Sequence, residues 1–256
     1  MVFFQNSLQK KLKEISSRFF QDKYEKALKE AIAVSASRPN DMRARLRVAE
    51  LFFKTKQLDR AIEIYHAVAS QFIQENFILK AVAIYKNILK LDPSRVEINL
   101  KLAELYQKLE MISDAANQYR IAIQLYGTKG QRDKIVEICK KLVDLDPSNL
   151  NRKKLGEIYQ ANGMTNEAIE QYEILANNFK QAKEYDDLMR TYELILPHKP
   201  DNKAIIKDLM ILYLRSKNPD SALRVLEKQK MEAEPEFKDL VEKAKLMKKA
   251  LRSTKS

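Results

Sequence analysis

Proline falls at Pro39, Pro93, Pro147 and Pro200, at intervals of 54, 54 and 53 residues. Other columns keep the same step. Phe52, Tyr106, Tyr159 and Tyr213 form an aromatic column, and Ala61, Ala115, Ala168 and Ala222 a small one. Four residues past each alanine stand Tyr65, Tyr119, Tyr172 and then Leu226. Columns of different chemistry that share one interval mark an internally repeated fold, in which each copy buries its apolar face against its neighbours. Any fold for this chain must stack copies.

Within a copy the apolar spacing is helical. Leu102, Leu105, Tyr106 and Leu109 follow the i, i+3, i+4, i+7 stripe of an amphipathic helix. Ala115, Tyr119, Ala122 and Tyr126 make a second stripe, and Ile135, Ile138, Cys139 and Leu142 a third. Breakers separate them: Gly127 to Gly130 between the second and third, and Asp146-Pro147-Ser148 before the next copy. A residue before proline avoids the α region, and Asn162-Gly163 supplies a C-terminal stop. Each copy therefore reads as three helices. With only 4 Gly and 7 Pro the chain is too poor in turn residues for an all-β fold.

The spacing Leu102-Ala103-x-x-Tyr106, then Ala115, Tyr119 and Ala122, resembles the tetratricopeptide repeat. Its 34-residue unit is a helix-turn-helix. A second frame starts about 20 residues later, with Tyr126, Ile135, Cys139, Leu142 and Pro147 on the family positions, so that the middle helix serves two overlapping repeats and the step becomes 54. The resemblance spans roughly residues 22–230. The chain departs from the family in having no Trp: the position favoured for it holds Arg45, Asn99, Arg152 or Ile206. The fourth copy also carries Met210 and Leu226 at signature positions. The resemblance implies an all-α, right-handed helical-repeat solenoid of the tetratricopeptide type, a superhelix with capping helices at both ends.

Three segments follow: an amphipathic N-terminal cap over residues 1–21, the repeats over 22–231, and a basic C-terminal cap over 232–256. Phe4, Leu8, Leu12, Ile15 and Phe19 give the first cap an apolar face. Phe237, Leu240, Val241, Ala244, Met247 and Leu251 give the second one another. Glu234-Pro235-Glu236 suits a helix start, since Pro fits the first turn and acid its positive dipole. The N-terminus lacks the pattern of a signal peptide, and no charge-free run reaches the ~20 apolar residues of a membrane span. One cysteine excludes an internal disulfide. The expected location is the cytoplasm.

Catalytic chemistry finds little foothold. Gly127, Gly130, Gly156 and Gly163 make no phosphate-cradling loop, Gly156 taking a small-residue column and the others turns. His66 and His198 lie apart, without zinc-ligand spacing. Cys139 falls on a core column with no base beside it in sequence. No catalytic residue, metal or cofactor is expected, and the chain reads as a non-enzyme.

The candidates that remain are surface cations. In the family the first helix of each repeat lines a concave groove. Its sixth position here holds Arg47, Lys101 and Lys154, then Asp208, with Arg43 one turn before Arg47 and Phe53 as an aromatic contact. Such a stripe would grip an acidic segment. Against it, Glu50, Glu104 and Glu157 each follow a cation by three and can neutralise it. The tail adds Lys243, Lys245, Lys248, Lys249 and Arg252, a docking face or a solvated cap. Net charge is +12. The leading expectation is a scaffold or adaptor that binds a protein or peptide partner. The alternatives are nucleic-acid binding, and attachment of the scaffold to an anionic membrane surface through its tail.

Overall fold

A computed structural model describes residues 2–253, with side chains from residue 20 onward. Among the described residues every regular element is helical. The chain divides into two compact units, Met1–Lys129 and Gly130–Ser256. The first holds α1 (Val2–Ser37), α2 (Met42–Lys54), α3 (Leu58–Gln74), α4 (Ile78–Leu91), α5 (Val96–Lys108) and α6 (Ile112–Thr128). The second holds α7 (Arg132–Leu145), α8 (Asn149–Ala161), α9 (Thr165–Ala182), α10 (Tyr185–Ile195), α11 (Lys203–Arg215) and α12 (Pro219–Gln229). A 3-10 turn, Pro235–Phe237, then leads into α13 (Lys238–Ser253). Within each unit a helix packs mainly on the next along the chain.

Two kinds of joint make the three-helix grouping. Within a group the chain reverses through a residue in the left-handed region. Lys56, Glu110, Gly163 and Lys217 do so after the first helix of each group, and Asn76 and Lys183 after the second in the first and third groups. Between groups the joint is Asp-Pro or Lys-Pro. Asp92 and Asp146 leave α4 and α7 with φ of −142° and −136°, and the prolines after them prevent the helices from continuing. At the first of these joints Asp92 accepts from the Ser94 backbone N–H (3.1 Å), the Ser94 hydroxyl (2.7 Å) and Arg95 (3.0 Å). The Ser94 hydroxyl bond is the main cause that holds the Asp92 carboxyl below its ordinary pKa. Helix starts are capped where the sequence allows: Asp41 accepts from the Arg43 and Ala44 N–H groups, and Asn218 from Ser221 N–H, with Pro219 at the first position of α12.

The periodic columns are the core. Ala61, Ala115, Ala168 and Ala222 are each fully buried, and Tyr65, Tyr119, Tyr172 and Leu226 are buried one turn further along the same helices. Small residues let helices approach closely, and the large ones fill the grooves. Gly156 takes this logic furthest. A Cβ built there would stand 2.5 Å from Tyr172 Cε1, so only hydrogen fits between α8 and α9.

Two sequence readings need correction or extension. Gly127 is not in a loop: it lies in the last turn of α6, and the positive φ falls at Gly130. The chain also makes no break at residue 21, because α1 runs unbroken through it and packs on α2, with Lys54 over the Tyr24 ring. The apolar face proposed for residues 1–21 lies outside the residues whose side chains are described. At the other end α13 covers α11 and α12. Ala244 joins Leu214 and Ala222 in one apolar cluster, flanked by Tyr213, Leu223, Leu240 and Met247. Phe237, in the turn before α13, is fully buried.

Candidate interaction surface

The predicted cation row stands on the first helix of successive groups. Arg47 on α2 and Lys101 on α5 belong to the first unit, Lys154 on α8 to the second. Each meets the glutamate three residues on: Arg47–Glu50 at 3.1 Å, Lys101–Glu104 at 3.4 Å and Lys154–Glu157 at 3.4 Å. All three pairs are solvent-exposed, where such contacts contribute about 0–1 kcal/mol. Arg43 and half-exposed Phe53 flank the first of them. In the fourth group the corresponding Asp208 is engaged instead by Lys180 (2.7 Å) and the Tyr192 hydroxyl (3.1 Å). Burial, then the adjacent Asp208 charge, push the Tyr192 hydroxyl up to about 12.

On α13, Lys243, Lys245, Lys249 and Arg252 face solvent, while Lys248 turns back to Asp220 at 2.5 Å. Leu246, 69% exposed, stands beside Lys245 on the same helix.

A second feature was not anticipated. Three surface cavities in the structure prove to be one site repeated with the period. The first, about 600 Å³, is lined by Ile32, Ala36, Arg45, Val48, Phe52 and Ile64. In the third copy a cavity of about 470 Å³ is lined by Lys140, Asp144, Arg152, Leu155, Tyr159 and Gln171. In the fourth, about 340 Å³, the same columns supply Glu193, Pro197, Leu209, Tyr213 and Val225. Each notch lies where the end of one group meets the first two helices of the next. Its cause is legible in one column. The position the family favours for Trp holds Arg45 and Arg152, whose guanidinium groups lie in the notch and donate to Gln71 and Gln171, each at 3.1 Å. In the second copy Asn99 turns away to the Arg95 carbonyl (3.0 Å), and Gln118, aligned with Gln171, keeps a buried Oε1 with no hydrogen-bond partner among the described residues. In the fourth copy the residue is Ile206, fully buried.

His66, His198 and Cys139 are not members of the cation row or the notches. His66 is exposed on α3 with its ring edge-on to Tyr85 at 5.8 Å, and His198 is half-buried just past α10. Among the described residues no three His, Cys, Asp or Glu side chains gather as metal ligands. Cys139 is a buried core residue, and burial pushes its thiol up to about 11, against a smaller opposing effect of Lys154. With the folded pKa raised above the ordinary 9.0, the native state holds its proton longer than the unfolded chain. The associated stability is complete below about pH 9 and is lost as pH rises toward 11. At neutral pH Cys139 should therefore react with a disulfide reagent about 100-fold or more slowly in the native chain than in denaturant, a ratio that stopped-flow thiol titration measures directly.

The tetratricopeptide-repeat family pattern matches the chain at residues 12–76 and again at 154–182. No curated protein sequence matches it. Among solved structures, the C-terminal part of a tetratricopeptide repeat-containing protein from Cytophaga hutchinsonii is 15% identical. That match covers 77% of this chain and 94% of the other, with a TM-score of 0.32. A tetratricopeptide repeat protein from Parabacteroides merdae is 16% identical, covering 90% of this chain and 92% of the other, with a TM-score of 0.37. Among the described residues no helix is long and apolar enough to cross a membrane.

Proposed function

The chain is a tetratricopeptide-repeat protein, and we propose that it works as a non-catalytic scaffold that holds an acidic segment of a protein partner against the first helices of its repeats, on the concave face that the family uses. The observation that supports this reading is the cation row itself. Arg47, Lys101 and Lys154 recur in register, each held only by an exposed glutamate one turn away. Exposed pairs of this kind exchange partners at little cost, so an incoming carboxylate can share or replace the glutamate. Arg43 and Phe53 add an unneutralised charge and an apolar contact at one end. The tail cations on α13 strengthen long-range attraction for the same partners.

The test is affinity capture from source-cell lysate, with and without nuclease, run in parallel with an Arg47→Glu, Lys101→Glu, Lys154→Glu variant. A defined protein partner that survives nuclease and is lost with the variant is the expected result. Captured material that disappears with nuclease would instead make the +12 charge a nucleic-acid footprint. The positions of the row itself hold Arg47, Lys101 and Lys154 and no aromatic side chain of the kind on which bases stack, and this favours the protein partner.

A further inference from the structure

The fourth notch differs from its relatives in what lines it and in what surrounds it. In the first and third copies a guanidinium lines the notch and is bonded to a glutamine. In the fourth, Ile206 is withdrawn into the core, and the floor is apolar: buried Leu196 and Leu209 with half-buried Val225. On the rim stand Arg224 and Lys228, one turn apart on α12 and both exposed. Side chains so spaced share one helix face, about 5–6 Å apart at Cβ.

Two carboxylates beside the notch are already engaged, whereas Glu227, exposed on α12 three residues after Arg224, has no ion-pair partner among the described residues. Glu193, on the opposite wall, accepts from the Tyr213 hydroxyl. Asp220, one turn before Arg224, is bonded to Lys248, which is the main cause of its lowered pKa. Among the described residues neither Arg224 nor Lys228 has an ion-pair partner, unlike Arg47, Lys101 and Lys154. An apolar floor whose rim carries two cations without an ion pair against one unengaged carboxylate, Glu227, stays net positive and is complementary to an apolar side chain that carries a carboxylate beside it, although Arg224 also has a smaller effect on the Asp220 charge. The volume, about 340 Å³, lies at the small end of the ~300–1,000 Å³ range of ligand sites, enough for one anchor side chain rather than a cofactor.

We infer that the notch between α10, α11 and α12 is a binding pocket for a short acidic peptide segment. One Leu, Ile, Met or Phe of the segment enters over Leu209 and Val225, and a neighbouring Asp or Glu takes the fork of Arg224 and the ammonium of Lys228. The inference rests on the scaffold reading in taking a partner protein as the source of the segment, but not on the paired cation row.

The probe is an array of acetylated, amidated nonapeptides with a central Leu, Ile, Met or Phe flanked by Asp or Glu, beside the same peptides with Asn or Gln. Binding to the full chain is read by fluorescence anisotropy. Acidic members should bind, and their amide counterparts should bind about tenfold or more weakly, as charge-assisted bonds are lost. Arg224→Glu with Lys228→Glu should abolish the preference. Ser221→Phe, which fills the cavity and keeps both cations, should weaken binding of all members alike. Circular dichroism checks that both variants keep the fold. If binding survives Arg224→Glu with Lys228→Glu but is lost in the Arg47→Glu, Lys101→Glu, Lys154→Glu variant, the pocket is overturned and the scaffold reading stands. If no acidic member binds, or amides bind as well as acids, the pocket is overturned outright.

Discussion

Replacing Gly156 by alanine destabilises this protein, although alanine is the better helix former. The substitution gains about 1 kcal/mol of helix propensity in an interior position. It also introduces a Cβ 2.5 Å from Tyr172 Cε1, with Cδ1 and Cζ of the same ring at 3.1 Å. The ring has little room to move. Tyr172 is fully buried, and its hydroxyl bonds Gln160 Oε1 at 3.2 Å. Overpacking of this kind costs typically about 1–3 kcal/mol beyond any gain, so a net loss of about 1–3 kcal/mol is expected in chemical denaturation. The repeat also supplies the cure. At the aligned positions the first two copies pair Ala49 with Tyr65 and Ala103 with Tyr119, whereas the fourth pairs Met210 with Leu226. Both Met210 and Leu226 are fully buried, so the fourth copy exchanges which partner is large. Gly156→Met alone should be worse than alanine. Gly156→Met with Tyr172→Leu should recover most of the loss, because the pair then resembles one the fold already accommodates. A double-mutant cycle with no coupling energy would show that the close approach of α8 to α9 is not what Gly156 provides.

That prediction marks where sequence reading stops. Gly156 was legible as a small residue on a small-residue column; that it must be glycine was not, because the requirement is a distance between two helices. The period was legible because the columns are set by burial, and burial is what a repeated fold conserves between its own copies. The proline joints were legible because proline acts on its own backbone and that of the residue before it. The tight joints were not. Lys56, Glu110, Lys183 and Lys217 adopt positive φ with no residue type that favours it, at a local cost the surrounding packing must offset. Gly127 misled for the converse reason, since a glycine is also tolerated in a helix end and the positive φ falls at Gly130.

The same contrast holds at the candidate surface. The cation row followed directly from the period, and so did its glutamates; what the structure adds is that every pair is made. Arg224 and Lys228 gave no such signal, because they lie on no shared column. The clue to their notch was available only indirectly, in the replacement of Arg45 and Arg152 by Ile206 at one aligned position. A charge matters for binding when its neighbours leave it unsatisfied, and that depends on where Lys248 and Tyr213 send their own bonds.

Phe237→Ala should produce the largest single-residue loss, about 3–5 kcal/mol, as expected for truncating a fully buried phenylalanine. Its consequence should be local before it is global. Phe237 ends the short turn that delivers α13, and the helix it delivers contributes one fully buried residue, Ala244, with Leu240 and Met247 half-covered. Ionic ties add to these, among them Lys203 to Glu234 at 2.9 Å and Lys248 to Asp220 at 2.5 Å. Exposed pairs such as Lys203–Glu234 contribute about 0–1 kcal/mol and weaken with salt, so they cannot hold a helix whose apolar anchor is gone. Hydrogen exchange in the variant should therefore rise across residues 238–253 while α8 and α9 keep their protection. Leu214 and Ala222 would lose their cover, leaving the last repeat with an apolar outer face, the condition a terminal repeat has to avoid to stay soluble. Self-association measured by light scattering should increase accordingly. Lys248→Ala is the discriminating control: it removes the ionic tie and leaves Phe237 in place, so exchange over the same residues should barely change. If Lys248→Ala, or high salt alone, released α13 as fully as Phe237→Ala does, then charge rather than apolar burial would be what holds this end of the repeat closed.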